Sequence, residues 1–244
     1  MTKLALVTGG ASGIGFSAAR RLLNEGWTVA ISGRNEERLQ AAREQLGHSC
    51  FLLPANVANG DEMRSAVDRL ISEQGPIGAL VANAGMNVGR RAWGEISHAD
   101  FRDVVSTNLL GTYHSVDAVL PGMRANGGGR IVVVSSFAGW YVTPQPGPAY
   151  TSTKLAMRGL VESLNMSEIL NGVVATALCP GEVATPAMQR RVPPPPPEVL
   201  AKMLQPDDIA GAISYILGQP GHVAINELVI TPRWNNAYNR IPRP

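Results

Sequence analysis

Tyr150 and Lys154, in the run Tyr150-Thr151-Ser152-Thr153-Lys154, stand four positions apart. That spacing puts both side chains on one face of a helix, about one turn from each other. The residues that follow, Leu155, Ala156, Met157, Leu160, Leu164 and Ile169, continue a largely apolar helical pattern. A free phenol ionises at about pH 10 and is a poor acid or base near neutrality. An ammonium ~4 Å away, at an effective dielectric of ~20, favours the phenolate by up to ~4 kcal/mol, roughly three pKa units. The pair could therefore give and take a proton at neutral pH. An exposed helix face is the bland explanation of the same spacing, so the rest of the chain has to decide.

The elements that must position this pair alternate along the chain. Strands are predicted at 4–8, 27–32, 49–53, 79–82, 130–135, 173–178 and 224–230, from short apolar runs bounded by glycine and polar residues. Helices are predicted at 14–25, 36–46, 62–73, 98–124 (interrupted around Gly111), 150–171 and 207–217. Alternation of this kind predicts an α/β fold, a parallel sheet with helices on both faces. No repeat and no linker divides residues 1–244, which read as one domain. The exception is the stretch 186–205, which contains five consecutive prolines, Pro193 to Pro197. Such a run forms a stiff polyproline II segment. It reads as a semi-rigid lid or rim loop, with a recognition motif for a partner domain as the alternative.

A second chemical signal lies between the first strand and the first helix, in Thr8-Gly9-Gly10-Ala11-Ser12-Gly13-Ile14-Gly15. Glycines let the backbone turn sharply and approach a pyrophosphate, and the helix N-terminus offers free N–H groups to the anion. After the second strand comes Ser32-Gly33-Arg34. An acid near here would bind a ribose 2′-hydroxyl, whereas an arginine suits a 2′-phosphate, so NADP(H) is favoured over NAD(H). Arg34 could instead pair with Glu36 or Glu37.

Composition narrows the classes. The 244 residues carry a net charge of +2, with 45% apolar and 16% charged residues, enough for a large buried core. Acids and bases are interspersed, with no basic stripe for a nucleic acid. No apolar run approaches the ~20 residues of a membrane helix, and no signal-peptide pattern opens the chain. Cys50 and Cys179 are the only cysteines, read as reduced core thiols of a cytoplasmic protein. No metal site is expected.

With these features together, the chain resembles the short-chain dehydrogenase/reductase family of the ~250-residue type. The motifs that carry the resemblance run in order through nearly the whole sequence. They are Gly9/Gly13/Gly15, Asn83-Ala84-Gly85, Asn108, Ser135-Ser136, Tyr150/Lys154 and Pro180-Gly181-x-Val183-x-Thr185. The resemblance implies a doubly wound Rossmann-type fold with strand order 3-2-1-4-5-6-7. It implies Tyr150 as the acid/base, Lys154 as ribose ligand and modulator of the phenol, and Ser136 as the donor to the substrate oxygen. Asn108 would bind a water near Lys154. Ser12 and Ile14 join the glycine turn, Asn56 and Val57 the adenine contact, and Asn83, Ala84 and Gly85 the adenosine side. Pro180, Gly181, Val183 and Thr185 match the nicotinamide side. Asn56 stands where the family usually has an acid, and its amide carbonyl could still accept from adenine. Many NADP-preferring relatives carry a basic residue where this chain has Ser12. Ser136 and Tyr150 are one position further apart than is commonest, which places an insertion within 140–144 and leaves Ser135 as a fallback. The resemblance also implies a homodimer or homotetramer assembled through the helices 101–124 and 150–171.

Ligands of such sheets bind at the carboxyl ends of the strands. The loops there offer Asn87, Val88, Trp93, Phe137, Trp140, Tyr141 and Met188, a lining for a medium-sized ketone or aldehyde with an apolar or aromatic part. Arg90, Arg91, Arg190 and Arg191 near the rim could receive an anion or be solvated loop charges. The activity expected is hydride transfer between NADP(H) and a carbonyl/alcohol pair. The alternatives are a reductase of 3-oxoacyl groups on a carrier protein and a non-catalytic NADP(H)-binding sensor or scaffold. The tail 233–244, with Trp234 and Tyr238, is expected to cover the pocket or a neighbouring subunit.

Overall fold

The central strands of the sheet are wholly buried, which is why they read as short apolar runs rather than as alternating patterns. The computed structural model describes residues 2–190 (for Arg190 the backbone only) and 193–235. In chain order the elements are β1 (Leu4–Thr8), α1 (Gly13–Asn24), β2 (Thr28–Gly33), α2 (Glu36–Leu46), β3 (Cys50–Pro54), α3 (Gly60–Gln74) and β4 (Ala79–Ala82). Then follow α4 (His98–Val105), a π-helical turn at Ser106–Leu110, α5 (Gly111–Ala125), β5 (Gly129–Val134), α6 (Pro148–Glu168) and β6 (Val173–Pro180). A short α7 (Pro197–Leu200), α8 (Pro206–Leu217) and β7 (Glu227–Ile230) complete the chain. The seven strands form one parallel sheet in the order β3-β2-β1-β4-β5-β6-β7, as expected.

Successive side chains of a strand point to opposite faces, and the core divides accordingly. Leu6, Ala30, Leu80 and Ile131 pack under Met63 and Val67 of α3, Val119 and Met123 of α5, and Met157 of α6. Val7, Ile31, Val81 and Val132 pack under Ala18 and Leu22 of α1, Leu39 of α2, and Ile209 and Ile213 of α8. Each fully buried Leu, Ile or Val side chain is worth about 1.5–3 kcal/mol relative to exposure. Register brings the strand ends level: Thr8 opposite Ser32, Ser32 opposite Leu53, Val134 opposite Leu178 and Pro180 opposite Ile230. The carboxyl ends of the strands therefore carry the glycine turn and the loops before α4, before α6 and after β6.

Three of the differences from the predicted elements bear on the site. The long helix expected over 98–124 is interrupted by the π turn centred on Asn108 rather than by Gly111. Gly111 is small for another reason: a Cβ there would lie 2.6 Å from Cγ2 of Val57. The helix carrying Tyr150 begins two residues earlier, at Pro148, whose fixed φ suits a first helical position. The last strand starts at Glu227 rather than Ala224. Among the described residues, no helix is long and apolar enough to cross a membrane.

Candidate active site

The glycine turn is shaped for close backbone packing. Gly9 and Gly13 have φ of +64° and +56°, the left-handed region that a side chain disfavours. A Cβ on Gly15 would stand 2.4 Å from the carbonyl oxygen of Gly9 and 2.6 Å from Nδ2 of Asn83. Ser12 is extended, its side chain makes no capping bond, and the first turn of α1 holds no acid. The first N–H groups of α1, at Gly13, Ile14 and Gly15, are thus left for an anion, and the positive helix end favours one. This open cradle fits the pyrophosphate of a dinucleotide. Thr185 closes its far side, with Cγ2 3.3 Å from the position of a Cβ on Gly13.

Asn83 does more than flank this site. Its N–H donates to Oγ1 of Thr8 (3.0 Å), and its Nδ2 donates to the carbonyls of Thr8 (2.9 Å) and Gly9 (3.3 Å). Ala84 N–H adds a bond to the same hydroxyl, at 3.1 Å. The end of β4 is thereby stitched to the turn after β1. Gly85 follows, with Oδ1 of Asn108 3.4 Å and Nζ of Lys154 3.6 Å from the position a Cβ would take.

Arg34 is exposed at the end of β2 and makes no ion pair or hydrogen bond among the described residues, with Glu36 and Glu37 or otherwise. The cap of α2 is supplied by Asn35, whose side chain accepts from the N–H of Arg38. At the end of β3, the carbonyl of the Asn56 side chain accepts from the N–H of Ala58 (3.2 Å), while Asn56 N–H donates to Glu62. One acceptor site of that amide is therefore in use. Val57 is buried, and its carbonyl oxygen meets Nδ1 of His114 at 2.9 Å.

The π turn turns Asn108 inward. Its amide is fully buried: Oδ1 accepts from Met86 N–H at 2.7 Å, and Nδ2 donates to the Met86 carbonyl (3.0 Å) and to Thr153 Oγ1 (3.3 Å). Lys154 is also buried, with Nζ donating to the Val134 carbonyl at 2.8 Å and lying 5.5 Å from the centre of the Tyr150 ring. Burial pulls the lysine pKa down to about 8, because a buried ammonium loses its hydration. Tyr150 is half-buried above it.

The two serines after β5 separate in role. Ser135 is buried and its hydroxyl donates to the carbonyl of Lys154 at 2.8 Å, so it is committed to holding α6 against the sheet. Ser136 is extended and caps the 3-10 turn Phe137–Gly139, its Oγ accepting from Ala138 N–H at 3.2 Å. Among the described residues no acceptor takes its own proton.

The substrate-side residues lie in three loops. Phe137 stacks obliquely with Trp140 and Tyr141, ring centres 5.6 and 5.8 Å apart. The latter two remain about half exposed, at 44% and 47%. Asn87 is occupied with backbone: Nδ2 donates to Pro146 carbonyl (2.9 Å) and Oδ1 accepts from Val88 N–H (2.9 Å). Arg91 likewise donates to the carbonyl of Gln145. These bonds clasp the residues just before α6, where a Cβ on Gly147 would lie 2.0 Å from the carbonyl oxygen of Arg91. Trp93 stands 84% exposed. Past β6, Pro180 and Val183 are buried, Gly181 N–H donates to Ile230 carbonyl, and Met188 is half-buried in a 3-10 turn. Val183 pairs with Leu204 in an isolated parallel bridge, closing the base of the proline-rich segment. Trp234 is 56% exposed. Arg191, Tyr238 and the side chain of Arg190 lie outside the described residues.

Two further residues escape a reading of local spacing. Arg158, one turn beyond Lys154, forms a fork with Glu227 and also reaches the Gly139 carbonyl. Cys179 is buried beside Glu227, with its thiol pushed up to about 12 by burial and by that carboxylate.

Known proteins agree with this architecture. The family model described as short chain dehydrogenase matches residues 3–195. An uncharacterized oxidoreductase of Staphylococcus aureus is 31% identical over 231 residues, covering 94% of this chain and 97% of the relative. The structure of an alcohol dehydrogenase from the archaeon Thermococcus sibiricus, complexed with 5-hydroxy-NADP, superposes with a TM-score of 0.85 at 27% identity, over 100% of this chain and 99% of that one. The closed form of a serine dehydrogenase complexed with NADP+ gives 0.83 at 30% identity, over 94% of each chain. A family whose fold binds a nicotinamide cofactor, matched over most of the chain, accounts for the glycine cradle and the Tyr150–Lys154 pair together. The chain belongs to the short-chain dehydrogenase family of oxidoreductases.

Proposed function

We propose that the protein transfers hydride between NADP(H) and a carbonyl/alcohol pair, with Tyr150 as the proton donor and acceptor. The observation that carries this reading is the buried Lys154 ammonium 5.5 Å from the Tyr150 ring centre. A positive charge held there favours the phenolate and brings the tyrosine toward neutral-pH chemistry. Ser136, with its hydroxyl proton uncommitted, donates to the substrate oxygen and holds the carbonyl for attack. Tyr150 delivers the proton to that oxygen in reduction and removes it in oxidation. Asn108 holds the Met86 backbone and Thr153, keeping the loop after β4 against α6.

The nicotinamide, when bound, supplies or accepts the hydride. The N–H groups at the start of α1 would hold its pyrophosphate. Arg34, unpaired and exposed, would meet a 2′-phosphate, which is the basis for NADP(H) over NAD(H). Two neighbours complexed with NADP compounds support the same preference. The half-exposed rings of Trp140 and Tyr141 beside Phe137 suit a ketone or aldehyde with an apolar or aromatic part. Self-association into a dimer or tetramer through α5 and α6 belongs to the same reading, supported by the exposed Tyr113, Leu155 and Met166.

The test is Tyr150→Phe. Turnover of NADPH with a carbonyl substrate should fall at least about 1,000-fold, in line with losing a general acid. NADPH binding, read by fluorescence titration, should stay within about twofold. Wild-type rates in this variant would remove Tyr150 from the chemistry.

A further inference from the structure

We propose that Arg158 is a positioning residue: through the carbonyl of Gly139 it fixes the turn that aims the Ser136 hydroxyl at Tyr150. The inference rests on the reading above, in which Ser136 holds the substrate oxygen.

Arg158 is the third member of one helical face, four positions after Lys154 and eight after Tyr150. Its guanidinium is used on two sides. Nε and one terminal nitrogen fork onto Glu227 at the start of β7, at 2.7 and 2.8 Å. The other terminal nitrogen donates to the Gly139 carbonyl at 3.1 Å. The fork matters because it leaves the planar group no freedom to swing away from Gly139. Glu227 is itself in register with Ala177 of β6.

The turn needs this hold. Ser136 sits at its first position, and the bonds within it, Ala138 N–H to Ser136 Oγ and Gly139 N–H to the Ser136 carbonyl, keep its shape but not its place on α6. Its seat there is close: a Cβ on Gly139 would lie 2.4 Å from the Lys154 carbonyl oxygen and 2.6 Å from Ser135 Oγ. Ser135, bonded to that carbonyl, ties down the entry to the turn, ahead of Ser136. The Arg158 bond ties down its exit, one turn past Lys154. Any slide would move Ser136 relative to Tyr150, and a ~1 Å misplacement of a reacting group can cost about 100-fold in rate.

A double-mutant cycle separates this role from a merely structural one. In Arg158→Met, kcat for carbonyl reduction should fall roughly tenfold to 100-fold, with NADPH affinity within about twofold of wild type. Arg158→Lys keeps the charge but cannot fork, and should be impaired by a similar factor; Glu227→Gln should lie between Lys and wild type. In a Ser136→Ala background, Arg158→Met should cost less than about threefold, since the group it positions is gone. Amide hydrogen exchange at Gly139, Trp140 and Tyr141 should quicken in Arg158→Met while α6 stays protected. Fully additive losses in the cycle, or unchanged exchange in the turn, would overturn the proposal. A Ser136→Ala enzyme with wild-type kcat would instead overturn the role of Ser136 itself, and the exchange measurement would still report whether Arg158 holds the turn.

Discussion

Replacing Asn108 with Ala removes a side chain whose amide makes three hydrogen bonds in a fully buried setting. Two of them satisfy the N–H and the carbonyl of Met86, and the third engages Thr153 Oγ1. Thr153 keeps a second bond, to the Tyr150 carbonyl, so its loss is mild. The two Met86 groups lose their partners, and an orphaned buried polar group costs about 1–3 kcal/mol. Water admitted to the vacated volume recovers part of that, so the net loss should be about 3 kcal/mol. For a domain of this length about 1 kcal/mol moves Tm by ~2–4 °C, so calorimetry should record a fall of roughly 6–12 °C. A drop under about 2 °C for Asn108→Ala would refute the reasoning.

Three other perturbations follow from the geometry. Arg34→Ala should weaken NADPH binding by tenfold or more and NADH by less than about twofold, since a charge-assisted phosphate bond is lost; equal losses in paired titrations would make Arg34 structural. Gly15→Ala places a Cβ against the Gly9 carbonyl and the Asn83 amide. It should cost about 1–3 kcal/mol in urea unfolding and weaken both nucleotides together, and unaltered affinity would contradict the account of the cradle. Glu168 is held down to about 2 by its bond to Arg124, then by Asn171. Its folded pKa lies below the unfolded one, so its contribution is complete above about pH 4.5 and is lost as pH falls toward 2. Urea midpoints of wild type and Glu168→Gln between pH 2 and 6 should converge at the acid end; parallel curves would count against the pair.

Much of this was legible from residue types because buried parallel strands advertise themselves. Ile131 to Val134 and Leu4 to Val7 have no polar alternation to confuse the reading. The order of strands came from motifs in sequence, not from periodicity, which says nothing about neighbours. The π turn was not legible: its residues Ser106 to Leu110 carry an ordinary helical pattern, and the Asn108–Met86 bond that accompanies it spans 22 positions. Gly111 suggested a break, yet its smallness answers to Val57 on another element. The places of Asn83 and Asn87 after β4 point to ligands, but spacing does not show that their Nδ2 groups also donate to backbone carbonyls at Thr8, Gly9 and Pro146. Arg158 gave a faint signal, its phase with Tyr150 and Lys154, but Glu227 is 69 positions away. Local spacing shows which face a side chain occupies; only the closed sheet shows what that face meets.

The bridge between Val183 and Leu204 has a consequence for how such an enzyme can change over generations. Ala184 N–H donates to the Leu204 carbonyl and Leu204 N–H to that of Glu182, so the segment between them leaves and re-enters the body through one small clasp. Closure entropy is settled at that clasp, and doubling the enclosed length would cost only about 0.6 kcal/mol more. Apart from Thr185 and Pro186, which lie against Gly13 of the cradle, the enclosed stretch is thus exchangeable cargo, free to be lengthened, shortened or swapped between lineages. The nucleotide cradle, the proton-handling pair and the sheet would all be inherited unchanged beneath it.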